Sequence, residues 1–134
     1  ANIDRYPKAG ATVYARYYLG SIAFLRGDYD VSADQFRRGI ALRKAVGVME
    51  YLLRVGIAHS LEAKGDFPGA AAAYRDAAGF AQADLKAQSL LGEARCLSLS
   101  GKRAEAVELY RRILNENPET PSRGLIEVQL AQME

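Results

Sequence analysis

Apolar residues recur at three- and four-residue intervals in seven successive segments, most of them separated by a glycine or proline signal. The first predicted helix runs from about Thr12 to Arg26, with Val13, Tyr14, Tyr17, Tyr18, Leu19, Ile22, Ala23 and Leu25 spread over a broad arc. Gly27-Asp28-Tyr29 breaks it, the glycine supplying a left-handed residue and Asp28 a side-chain cap for the next helix. That second helix, about Tyr29 to Ala45, buries Phe36 and Ile40 and keeps Arg37, Arg38, Arg43 and Lys44 outside or near its end. After Gly47 a third helix, about Val48 to Lys64, is strongly apolar through Met49, Leu52, Leu53, Val55, Ile57 and Leu61. Gly65-Asp66-Phe67 repeats the earlier turn, and Pro68 opens a fourth helix that continues through Ala70 and Tyr74 to about Ala81. A fifth, about Leu85 to Ser100, leads to Gly101, and a sixth sets Ala106, Tyr110, Ile113 and Leu114 on one side before Asn117-Pro118. The seventh, about Pro121 to Met133, is predicted to be capped by Thr120 with Pro121 at its first position. None of these stripes can be buried alone, so the pattern predicts a stack of helices.

The stack is periodic. Gly27, Gly65 and Gly101 are 38 and 36 residues apart. Nine residues after each stands an aromatic (Phe36, Tyr74, Tyr110), and five residues after each a small residue (Ser32, Ala70, Ala106). A generic helical bundle does not repeat a glycine, a small residue and an aromatic at fixed offsets.

On these residues the chain resembles the tetratricopeptide repeat family, whose unit of about 34 residues follows Trp-x2-Leu-Gly-x2-Tyr, then Ala-x3-Phe, then Pro. Leu19-Gly20 matches the first helix of the unit, Ala70-x3-Tyr74 and Ala106-x3-Tyr110 match the second, and Pro118 closes the third repeat. The chain departs from the pattern in having no Trp and in placing Ala23 and Leu61 where the first-helix Tyr belongs. The spacings exceed the family's by four and two residues, which predicts longer linkers after Leu42 and after Ala78. The resemblance implies an all-α fold, a right-handed superhelix of antiparallel helix pairs in one domain spanning 1–134. Its repeats would cover about 13–46, 51–84 and 87–120, followed by a capping helix over 121–134. Comparing IDRYP, ending at Pro7, with LNENP, ending at Pro118, assigns the tail 1–11 to the remnant of a preceding repeat. The opening on Ala1-Asn2-Ile3, without a methionine, reads as a piece excised or processed from a longer protein. The GDY/GDF turns, the LGEARCLSLSGKRAEA segment and the NPETPSRGLIEVQLAQ helix also resemble bacterial YfgM-like or Tol–Pal-associated envelope proteins. That narrower likeness implies a scaffold or chaperone-like role in the periplasm.

Composition adds exclusions. A net charge of +2 is too balanced to point to nucleic acid, and no apolar run is long enough to cross a bilayer. His59 is the only histidine and Cys96 the only cysteine, so no metal site with repeated ligands and no Cys–His pair is suggested. Cys96 lies in an apolar helical pattern and reads as a buried, inert thiol. Phosphate-cradling glycine motifs, HExxH and G-x-S-x-G are absent, so the sequence predicts no enzyme, no catalytic residue and no cofactor.

Family resemblance places the binding groove on the first helix of each pair. The matching positions are Tyr14, Tyr17, Ser21 and Phe24, then Leu52, Val55, His59 and Glu62, then Gln88, Leu91, Arg95 and Ser98. These offer an aromatic end, a His/Glu pair and an Arg able to hold a carboxylate. The Lys/Asn clamp for C-terminal carboxylates is replaced by Tyr17, Tyr18 and Ser21, which disfavours chaperone C-termini as partners. Arg37/Arg38 and Arg111/Arg112 read as solvated helix faces. The expected function is a protein- or peptide-binding scaffold. The alternative is a self-assembly module, a homo-oligomer joined through end helices, motivated by Leu125, Ile126, Val128, Leu130 and Met133 on the last helix.

Overall fold

A computed structural model describes residues 9–134, with side chains from Thr12 onward. The helices are α1 (Ala9–Leu25), α2 (Tyr29–Ala41), α3 (Met49–Lys64), α4 (Phe67–Ala78), α5 (Ala83–Leu99), α6 (Arg103–Glu116) and α7 (Arg123–Met133), and the described residues contain no strand. Each helix packs on the next along the chain, and α1 also reaches α3. Three helix-turn-helix pairs, α1/α2, α3/α4 and α5/α6, are followed by the single helix α7.

The three intra-pair turns are built alike because a residue without Cβ is needed at each. Gly27, Gly65 and Gly101 have φ of 79°, 91° and 80°, a region in which other residues are strained. Their N–H groups donate to Phe24, Glu62 and Ser98 carbonyls at 3.0 Å in every case. The following N–H groups of Asp28, Asp66 and Lys102 reach back to Ala23, Leu61 and Leu97, each at 2.9 Å. Orphan carbonyls of the first helix are thereby satisfied in the same way three times. Capping of the second helix differs. The Asp66 carboxylate accepts from Gly69 N–H at 3.0 Å, whereas Asp28, expected to do the same, makes no side-chain cap bond.

A second glycine series sets the packing between helices. Gly20 and Gly56 stand on either side of the Phe36 ring, so close that an added Cβ would lie 2.6 and 2.8 Å from it. Gly92 does the same for Tyr74, at 2.6 Å. Gly20, Gly56 and Gly92 are 36 residues apart in each step, so the ring on the second helix of a pair is met by a bare backbone on the first helix of the next. Small hydroxyls fill the remaining space. Ser32 Oγ donates to the Gly20 carbonyl at 2.7 Å, Ser60 Oγ lies 2.8 Å from the Gly56 carbonyl and 3.0 Å from Ser32 Oγ, and Ser89 Oγ donates to the Tyr74 carbonyl at 2.8 Å. No buried side-chain polar atom among the described residues lacks a partner, as close packing of polar groups requires. The main core runs from Tyr51 through Tyr74, Leu90, Ala94 and Tyr110 to Ile126, and a smaller one holds Val13, Phe36 and Leu53.

Several helix ends differ from the sequence expectation. α1 begins at Ala9, within the segment assigned to a tail; the reading of Ile3–Tyr6 as the end of an earlier helix lies outside the described residues. α2 ends at Ala41, which puts Arg43 and Lys44 in a linker of residues 42–48, and α4 ends at Ala78 before the linker 79–82. Both linkers fall where the excess repeat length predicts them. α7 begins at Arg123 rather than Pro121, because Ser122 N–H donates to Thr120 Oγ1 at 3.3 Å and holds residues 120–122 in a turn. Thr120 is thus a turn residue and Ser122 the N-cap position. No described helix is long and apolar enough to cross a membrane.

Candidate functional site

The first helices of the pairs, α1, α3 and α5, carry the predicted groove positions at helical spacing. Between α1 and α3 they form a hollow of about 290 Å³ lined by Tyr17, Ser21, Phe24 and Leu25, by Leu52, Val55, Gly56 and His59, and by Phe36 of α2. The Phe36 ring is within reach because Gly20 and Gly56 leave room for it, and its centroid is 5.8 Å from that of Tyr17. Ser21 Oγ donates to the Tyr17 carbonyl at 2.9 Å, so the serine hydroxyl on the α1 wall spends its proton inside the helix. What remains is an apolar hollow with an imidazole on its rim.

Beside His59 lies a compact polar cluster. Arg95 of α5 donates through Nε and Nη2 to the two carboxylate oxygens of Glu62 on α3, at 2.6 and 2.7 Å. Tyr74 of α4 donates its hydroxyl to Glu62 Oε1 at 2.5 Å, and His59 meets the Tyr74 ring edge-on with centroids 5.7 Å apart. Three helices are therefore joined through one carboxylate. The Arg95 hydrogen bonds hold the Glu62 carboxyl below the usual carboxylate range, against the opposing effect of burial. Burial, then the Glu62 hydrogen bond, push the Tyr74 phenol well above its ordinary value. Burial lowers His59, with Glu62 raising and Arg95 lowering it further, so the imidazole is neutral at pH 7. Burial also pushes the Cys96 thiol up to about 11, which keeps it protonated and inert.

The structure thus gathers Tyr17, Ser21 and Phe24 with Leu52, Val55 and His59 into one hollow, and Glu62 with Arg95 into the adjoining cluster. Tyr14 and Gln88 stand exposed outside both, and Leu91 and Ser98 are half-buried. Arg95, expected to face a ligand carboxylate, has its Nε and Nη2 donors engaged by Glu62 of the same chain. Of the His59/Glu62 pair expected in the middle of the groove, Glu62 bonds Arg95 and Tyr74 while His59 packs on the Tyr74 ring. Sequence reasoning placed Phe36 and Tyr74 only in the core and did not use Gly56 and Gly92. The even glycine spacing was the available signal. Arg38 pairs with Asp34, Arg111 with Glu134 and Arg112 with Glu116, all of them exposed.

Residues 3–45 and 55–122 match the family described as "Tetratricopeptide repeat", which is most of the chain. The chain belongs to the tetratricopeptide repeat family. A solved structure of a TPR-like protein from Chlorobium tepidum superposes with a TM-score of 0.62 and covers 90% of each chain at 17% sequence identity. At that identity the likeness establishes the fold, an all-α tetratricopeptide array, and nothing finer. A comparison with curated proteins finds no match. Neither similarity extends to the YfgM-like or Tol–Pal-associated envelope proteins, and that narrower resemblance is without support. Tetratricopeptide repeats generally mediate protein–protein interaction, which is the coarse function the family assigns.

Proposed function

We propose that this tetratricopeptide array is a non-enzymatic scaffold that binds a peptide segment across α1 and α3, seating an uncharged apolar side chain in the hollow between them. The observation that carries the reading is the lining of that hollow by Tyr17, Phe24, Leu52 and Val55, next to a Glu62–Arg95 pair whose charges already cancel. A carboxylate brought to this site would have to displace Glu62 from a bidentate bond, while an apolar side chain needs only to displace water. Pockets of this kind, apolar with a few fixed polar groups, are where ligands are held. Selection from a displayed library of random heptapeptides tests it. Enrichment of uncharged Leu-, Ile- or Phe-containing sequences that bind the native protein and not Tyr17→Ala or Leu52→Ser supports the proposal. Enrichment of acidic or free-carboxylate sequences dependent on Arg95, or no dependence on Tyr17 and Leu52, overturns it.

A second reading, self-association through the end helices, draws on the exposure of Leu125 and Val128 on α7 and of Tyr14 and Tyr18 on α1. Sedimentation equilibrium over a wide concentration range decides it: dimers lost on Leu125→Ser with Val128→Ser support it, and monomer throughout removes it.

A further inference from the structure

The linkers 42–48 and 79–82 lie where the chain exceeds the family's repeat length, and they differ from the polar turn that follows α6. Apolar side chains on them stand in solvent: Val46 is 80% exposed, Val48 54% and Phe80 49%. The only two non-glycine residues with positive φ among the described residues are at these linkers, Arg43 at 55° and Ala83 at 50°. Residues other than glycine rarely adopt this conformation, and strain of this sort concentrates at binding sites. The two linkers also converge. Arg43 and Ala45 of the first and Phe80 of the second line an open hollow of about 630 Å³, with Glu50 and Arg54 of α3 as further walls. Arg54 holds the Phe80 ring, its guanidinium 4.3 Å from the ring centroid, and is itself paired with Glu50 at 3.0 Å. Arg43 and Lys44 form no ion pair with any described residue. The edge thus combines an anchored aromatic, an apolar loop and two uncompensated cations, and none of these residues lines the hollow between α1 and α3.

We infer that this edge is a second docking surface, for an acidic protein segment that places a bulky apolar side chain between Phe80 and the 42–48 linker and sets flanking carboxylates against Arg43 and Lys44. A concave hollow fits a side chain better than a flat lipid surface, and two cations are fewer than the basic clusters that hold anionic bilayers. Exposed apolar surface rimmed by charge is the signature of such sites.

Fluorescence anisotropy with the intact protein tests this, using a blocked, labelled Glu-Asp-Phe-Leu-Asp-Glu peptide and its charge-reversed counterpart Lys-Arg-Phe-Leu-Arg-Lys. The acidic peptide should bind saturably and weaken at least about tenfold in Arg43→Glu with Lys44→Glu. It should weaken comparably in Phe80→Ser and be unaffected by Tyr17→Ala. All these side chains are exposed or at a surface hollow, and unchanged circular dichroism checks that the variants fold. No saturable binding, equal binding of the basic peptide, or indifference to the edge substitutions overturns the inference. So does a loss confined to Tyr17→Ala, which would assign the peptide to the hollow between α1 and α3. Pelleting of the protein by phosphatidylserine vesicles, lost in Arg43→Glu with Lys44→Glu while the acidic peptide fails to bind, would assign the edge to a membrane and likewise overturn it.

Discussion

Replacing Gly92 by Ala tests whether the regular glycines are packing requirements. The new Cβ would lie 2.6 Å from Cε1 and 2.7 Å from Cδ1 and Cζ of the Tyr74 ring, where carbon atoms prefer about 3.5–4.0 Å. Relief requires the ring to withdraw by about 1 Å. It has little freedom to do so, because Tyr74 is 2% exposed and its hydroxyl is tied to Glu62. Overpacking of this kind costs about 1–3 kcal/mol, while Ala in place of Gly within a helix returns about 0.8–1.0 kcal/mol. With the ring held on both counts the upper part of that range applies, about 2–3 kcal/mol, so the expected net loss is about 1–2 kcal/mol, and with a urea m-value of about 1–3 kcal/mol/M the midpoint should fall by about 0.3–2 M. Gly124→Ala is the control: nothing lies within 4 Å of its Cβ position, so it should gain about 0.5 kcal/mol. Urea unfolding followed by circular dichroism measures both, and trimming the ring with Tyr74→Leu should make Gly92→Ala less costly than in the native background. A Gly92→Ala protein that unfolds at or above the native midpoint would refute the reasoning.

The Glu62 carboxyl is depressed in the folded state by Arg95, so its stabilisation is full above the unfolded carboxylate range and is lost as pH falls through the folded value. Stability measured by urea titration should therefore decline on acidification, and Glu62→Gln should flatten that part of the profile; an unchanged profile counts against the pair. At pH 7 Arg95→Ala should cost about 1–2 kcal/mol, less than a fully buried charged hydrogen bond because the guanidinium is half-exposed. His59 is depressed by burial, so it stays neutral at pH 7 and gains a charge only below the ordinary histidine range. Affinity for an apolar peptide should then fall with acidification and the fall should vanish in His59→Gln, as read by anisotropy. Asp66→Ala should cost about 1 kcal/mol through loss of its cap bond to Gly69, whereas Asp28→Ala, with no such bond, should stay within about 0.5 kcal/mol; equal losses in urea unfolding would contradict the distinction.

The repeat was legible because backbone geometry imposes it on residue choice. Gly27, Gly65 and Gly101 turn left-handed at φ between 79° and 91°, where a Cβ is strained, and Phe36, Tyr74 and Tyr110 fill the space between pairs. The excess spacing also located both linkers. Helix ends were less legible, since they depend on which local bond wins: Thr120 accepts from Ser122 and delays α7, and Asp28 declines a cap that Asp66 accepts. Among groove residues, the family's pattern picked out Tyr14, Tyr17, Ser21 and Phe24 with Leu52, Val55, His59 and Glu62; of these Tyr17, Ser21, Phe24, Leu52, Val55 and His59 line one hollow, and Tyr14 and Glu62 lie outside it. That pattern could not foresee that Glu62 and Arg95, 33 residues apart, would spend their charges on each other, because that pairing depends on how α3 and α5 are set relative to α4. Spacing within one helix carries no such information.

The proposed role of the hollow between α1 and α3 is to receive an apolar, uncharged side chain. Amide 1H–15N NMR titration of the intact protein with a blocked, uncharged Leu- and Phe-containing hexapeptide tests it most directly. Saturable shifts centred on Tyr17, Phe24, Leu52, Val55 and His59, abolished by Leu52→Ser, are predicted; shifts confined to the ends of the array, or none, would contradict it.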